Sequence, residues 1–193
     1  MLSTFNLSKM ISDVACRPFA TSLSNILYPE LTKKNNIKDT RIFLFLIKIV
    51  FILLFIIYFI FLFLINDFII IIYGLDFKQI GIFFKLIMPS SIALSISTIF
   101  YSYYSAEGKQ IIYFKCLLIS IFSYLFTFLF FSSFGISSPI ALSLLISSYL
   151  LLFQLLIKYI YINKIKYLDL LMTKYEIKLI KRIVSRVFKK IYN

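Results

Sequence analysis

The chemistry open to this chain is set first by what it lacks. It contains no histidine, so imidazole acid–base catalysis and histidine metal ligation are both excluded. Its two cysteines, Cys16 and Cys116, lie far apart and form no CxxC pair, which argues against a zinc site or a disulfide framework. No cluster of acidic residues exists of the kind that membrane phosphotransferases use to hold Mg²⁺, so an enzyme is the weakest reading and no cofactor is implied. What remains is a set of cations in or beside very apolar stretches: Arg17, Lys48, Lys85, Lys115 and Lys158. A cation there can either run its long stem to the membrane interface or meet an anionic group in a desolvated cavity. The four lysines lie within about two turns of a span's end and are placed to snorkel. Arg17 and Lys85 are the candidate binding residues: Arg17 cannot easily reach water, and Lys85 precedes Pro89 in its span.

The elements that must carry these residues follow from composition. The chain has 193 residues, of which 61% are hydrophobic and 19% aromatic, with a formal net charge of +13. A soluble domain of this size cannot bury so much apolar surface. The chain is therefore expected to be an integral, all-α membrane helix bundle. Spans of about 20 apolar residues are predicted over 42–65, 82–104, 111–131 and 140–160. The segment "FIIIIYG" in the first connection is too short to span and reads as an interfacial or re-entrant piece ended by Gly74. Residues 9–29 are helix-length but only half apolar, with Arg17-Pro18 at the centre. Two readings stand for them: a cytoplasmic amphipathic segment, or a helix whose polar face is covered or lines a wet cavity.

Basic residues set the orientation. Lys33, Lys34, Lys38 and Arg41 precede the first strong span, and Lys164 and Lys166 follow the fourth, which puts residues 30–41, 105–110 and 161–193 on the cytoplasmic side. Residues 1–163 form the transmembrane region and 164–193 a tail. In that tail Leu168, Met172, Tyr175, Leu179, Ile183, Val187 and Ile191 make one apolar stripe among basic residues. Next to a span, such a helix is expected to lie on anionic membrane lipid, and nucleic acid is not an expected partner. The Ser/Thr set Ser90, Ser91, Ser95, Ser97 and Thr98 is expected mostly to bond back to its own helix.

Taken in order, "RPFATSLSNILYPELTKK", a very apolar helix, "YGLDF", "YSAEGKQIIYFK" and "FGISSPIALSLLISS" resemble the C-terminal lobe of Wzx-type flippases for lipid-linked oligosaccharides of O-antigen and capsule. These flippases belong to the MATE-like exporter superfamily. The matching positions are Tyr28, Pro29 and Leu31; Ala106, Gly108 and Lys109; and Gly135, Ile136 and Ala141. "SSPIA" stands where the family often has Gly and Ala. The likeness covers most of residues 10–163 in order and spacing. It implies a polysaccharide-biosynthesis transporter in the bacterial inner membrane, working by alternating access. It also implies that residues 9–29 form a polar cavity-lining helix capped by "LYPELTKK", where Pro29 ends the helix. Arg17 and Lys85 would then bind the pyrophosphate of the lipid-linked sugar. Family members have two lobes of six helices, so the chain is expected to be a truncated or split part whose N-terminal lobe is a separate partner. A MATE-type drug exporter would be expected to carry acidic residues within the strong spans, and these four have none. A small four-span scaffold or accessory protein is the remaining alternative.

Overall fold

In a computed structural model, which describes residues 2–33, 38–74, 79–135 and 138–165, the chain is an all-α bundle. Five helices follow one another: α1 (Leu2–Lys33), α2 (Lys38–Tyr73), α3 (Gln79–Ala106), α4 (Gln110–Ser133) and α5 (Pro139–Asn163). Even α4, at 24 residues, is about 36 Å long at roughly 1.5 Å per residue, enough to cross a hydrocarbon core of about 30 Å. Helices α2 to α5 are long and apolar enough to cross a bilayer, and the chain is a multi-pass membrane protein. Each exceeds its expected span by a few residues at one or both ends. The stripe expected in the 164–193 tail falls almost wholly on residues 166–193, outside the described residues.

Burial separates the helices into two kinds. The most apolar stretch of α3 is 67% buried, whereas those of α2 and α4 are 11% buried and present Phe, Ile and Leu outward. Helix α3 is accordingly the hub: it touches all four others, and α1 most extensively. At one end of the bundle an aromatic lock joins three helices. Phe43 of α2 sits with its ring centroid 4.7 Å from Tyr103 of α3 and 5.1 Å from Tyr159 of α5. The polar tips are satisfied inside it: Tyr103 donates to Asn163 Oδ1 at 3.1 Å and Tyr104 to the Leu155 carbonyl at 3.1 Å. Buried tyrosine hydroxyls need such partners, and here they tie α3 to α5.

Two expectations are corrected. The "FIIIIYG" segment is no separate interfacial piece: α2 runs unbroken through Asn66 and Asp67 to Tyr73. Asp67 points outward, while Ile65 and Ile69, one turn apart, are fully buried, so the helix keeps a packed face across the polar pair. Asn66 meanwhile packs over Gly81, where a Cβ would collide with its side-chain oxygen. Gly74 does end the helix, at φ +87°, with its N–H bonded to the Ile70 carbonyl at 3.0 Å. The second correction concerns Pro29, which lies inside α1 rather than ending it. Leu27 is buried on one side of it and Leu31 packs on the core on the other, so tertiary contact carries the helix past the missing N–H.

Residues 9–29 lie within α1, which packs along α3. Ser8 bonds the Ile80 carbonyl, Phe5 meets Phe83 edge-on at 6.5 Å, and Asp13 meets Ser91. Contacts that advance together along both chains make α1 and α3 parallel neighbours, so α1 shares the depth of α3. Should α1 cross the bilayer beside α3, the two ends of the described bundle lie on opposite faces. In a chain with Cys16 and Cys116 replaced by alanine, cysteines introduced at Asn6 and Lys164 should label from opposite sides with an impermeant reagent. Labelling of both from one side would return α1 to the membrane surface.

Candidate functional site

The seam between α1 and α3 is built from small residues. Ser8, Ser12, Cys16 and Ala20, each one turn beyond the last, are all buried against α3. Such a stripe lets two backbones approach closely and lets hydroxyls bond across the seam. Ser8 Oγ lies 2.8 Å from the Thr4 carbonyl and 3.0 Å from that of Ile80, and Ser12 Oγ donates to the Ser8 carbonyl at 2.8 Å. The rest of the helix surface is mixed: Asn6, Arg17, Thr21, Ser22 and Asn25 are exposed, and so are Met10, Val14, Phe19 and Ile26.

At the edge of this seam sits a charge cluster. Arg17 Nη2 is 2.7 Å from Asp13 Oδ2, one helical turn back, and Ser91 Oγ donates to Asp13 Oδ1 at 3.0 Å. Both carboxylate oxygens are therefore engaged. The Asp13 side chain is 17% exposed and that of Arg17 is 63% exposed. Ser91 lies near the middle of α3 (Gln79–Ala106), so the pair is held near mid-depth of the bundle. One turn beyond Ser91, the buried Ser95 Oγ has no partner among the described residues. Guanidinium carries five N–H donors in a planar fork, so donors not turned to Asp13 remain for a second acceptor. The arrangement is a fixed, partly neutralised cation with spare donors on an open face of mixed polarity. Asp13 offers no free charge to a cationic ligand.

Lys85 is placed elsewhere. It lies five residues beyond Ile80, roughly 140° further round α3 at 3.6 residues per turn, on the side of α2 and α5 rather than α1. Its side chain is exposed, and the structure does not bring it together with Arg17. Its carbonyl is the one left without a helical donor by Pro89, four residues on, and Tyr58 of α2 supplies the missing bond at 3.2 Å. Tyr149 of α5 lies within electrostatic reach of Tyr58. The residue that precedes the proline thus marks a fastening point between helices. Lys115 and Lys158 have exposed side chains near the ends of α4 and α5, and Lys48 makes an interaction within the bundle.

Of the hydroxyls on α3, Ser90, Ser97 and Thr98 bond back to Ile87, Ala93 and Ser95 carbonyls as expected, and Ser91 instead crosses to Asp13. Asp13 and the small-residue stripe were not among the sequence-derived candidates. Both carried a signal: an i, i+4 Asp–Arg pair and a run of Ser, Ser, Cys, Ala at four-residue spacing. No family model, characterised protein or solved structure matches the chain.

Proposed function

We propose that this chain is one lobe of a transporter for lipid-linked oligosaccharides, a flippase of polysaccharide biosynthesis in the bacterial inner membrane. The observation that carries the reading is Arg17, 63% exposed near mid-depth on a helix face that mixes polar Asn6, Thr21 and Asn25 with apolar Met10 and Val14. Hydrocarbon would penalise a central arginine by roughly 2.5–3.5 kcal/mol on insertion scales, so that face meets water or protein. A second lobe opposite α1 would enclose a polar passage between them, and rocking of two lobes about such a passage is how alternating access works. The spare guanidinium donors suit the pyrophosphate of a polyprenyl-linked sugar, because a planar fork matches phosphate oxygens bidentately. Lys85, on another side of α3, joins the site only if the lobes close around both sides. Positive charge at Lys33, Lys164 and along the tail supports a cytoplasmic C-terminus.

The test is binding and flipping of a polyprenyl-pyrophosphate sugar. Chain purified in mild detergent from cells that make this lipid should retain it, as read by mass spectrometry. Arg17→Ala should lower retention at least about tenfold, the loss of one charge-assisted bidentate contact, and Arg17→Lys should keep part of it. Flipping in vesicles with the partner lobe should fall in step. Unchanged retention in Arg17→Ala at normal membrane levels would overturn the reading.

A further inference from the structure

A second polar site lies at the opposite flank of the molecule, on the seam between α4 and α5. Ser120 Oγ of α4 donates to the Ser147 carbonyl of α5 at 2.6 Å, which sets the register of these antiparallel helices. From Ser147, the residues that share its face at helical spacing are Leu151, Gln154 and Lys158. From Ser120 toward the other end of α4, the corresponding residues are Cys116, Tyr113 and Lys109. The two stripes oppose one another across the seam. The Gln154 side-chain oxygen is buried and has no hydrogen-bond partner among the described residues. Lys158 has no acidic partner among the described residues, whereas Lys109 is paired with Glu107 at 3.2 Å. Lys158 stands five residues before the end of α5 at Asn163, roughly 8 Å along the axis, within stem's reach of lipid phosphates.

Snorkelling alone accounts for a lysine at that depth. It does not account for a buried amide oxygen, whose desolvation goes uncompensated unless a donor arrives. A ligand that satisfies both must bring an anion to Lys158 and a hydroxyl to Gln154, one turn deeper. We infer that the end of the α4–α5 seam at Lys158 and Gln154 binds an anionic phospholipid with a hydroxyl-bearing headgroup, of the phosphatidylglycerol class. The phosphodiester sits against Lys158, and the half-buried Gln154 side chain rotates outward so that its Oε1 accepts from the headgroup hydroxyl. The lipid comes from the leaflet into which the 107–109 turn projects, and its chains lie along the apolar outer surfaces of α4 and α5.

The experiment measures lipid retention and thermal stability of the purified full chain with four additives: phosphatidylglycerol, phosphatidylmethanol, phosphatidylcholine and soluble glycerol 3-phosphate. Phosphatidylmethanol keeps the charge and lacks the hydroxyl. Phosphatidylglycerol should bind best, about five- to tenfold over phosphatidylmethanol, and both should exceed phosphatidylcholine. Glycerol 3-phosphate should bind weakly, since it has no chains to lie on the helices. Lys158→Gln should remove the preference for anionic lipid, and Gln154→Leu should remove only the preference for the hydroxyl. Equal binding of phosphatidylglycerol and phosphatidylcholine by the unaltered chain overturns the site, and this comparison needs no variant to fold. Equal binding of phosphatidylglycerol and phosphatidylmethanol overturns the role of Gln154, and tighter binding of the soluble phosphate overturns the lipid.

Discussion

Replacing Ala20 with leucine is expected to unseat α1 from α3. Ala20 is 1% exposed and ends the run of buried Ser8, Ser12 and Cys16 along the seam. The larger side chain adds three carbons where two helices approach through small residues, and overpacking of this kind costs typically about 1–3 kcal/mol. The cost falls on one interface, because α1 makes few contacts with any helix but α3. A wedge at Ala20 should therefore lower the thermal midpoint of the purified protein by several degrees. A cysteine at Ser91, shielded by α1 in the parent, should become reactive in the same variant. Ala20→Ser, which keeps the size of the stripe, should leave both measurements near the parent. If Ala20→Leu keeps Ser91→Cys shielded and the midpoint unchanged, the small-residue stripe is not what seats α1.

The second large effect is an asymmetry between the partners of the mid-depth ion pair. Asp13→Ala removes the acceptor of both the Arg17 guanidinium and the Ser91 hydroxyl. The guanidinium, 63% exposed, would then be held by water alone, and the buried Ser91 hydroxyl would lose its acceptor. That loss is well below the roughly 2.5–3.5 kcal/mol that hydrocarbon would exact. Arg17→Ala leaves the Asp13 carboxylate still accepting from Ser91, a smaller loss. The double variant Asp13→Ala/Arg17→Ala should thus be more stable than Asp13→Ala alone. A double-mutant cycle in thermal or denaturant unfolding should give a coupling above about 1 kcal/mol. Additive effects of the two substitutions would mean that the pair is solvated and uncoupled.

How much of this was legible differs from element to element. The four strong spans could be read directly, because twenty or more apolar residues in a row admit few other structures. Gly74 could be read as a stop for the same local reason: its positive φ suits glycine. Pro29 and the Asn66-Asp67 pair misled, because each is a local signal outweighed by contacts from distant residues. For Pro29 these are Leu27 and Leu31 on the core; for Asn66 the contact is Gly81 of α3. Arg17 was visible as an anomaly, and its stabiliser Asp13 stood one turn away in the sequence. Ser91, the third member, lies 78 residues downstream of Asp13 and no spacing rule points to it. The separation of Lys85 from Arg17 was equally hidden, since it depends on which face of α3 each neighbour occupies.

The parallel seating of α1 on α3 has a consequence for how the protein is made. Ser8 and the carbonyl it meets are 72 residues apart, so the ribosome finishes α1 long before its cradle exists. At about 5–20 residues per second, that gap is roughly 4–14 s. During that interval nothing shields the polar side of α1 from hydrocarbon, and α2, the next helix out, offers it few contacts. A nascent α1 is thus held at the water–lipid boundary or by the insertion machinery, and enters the bilayer only when α3 emerges to receive it. The order of synthesis makes the least apolar helix emerge ahead of the helix that must receive it.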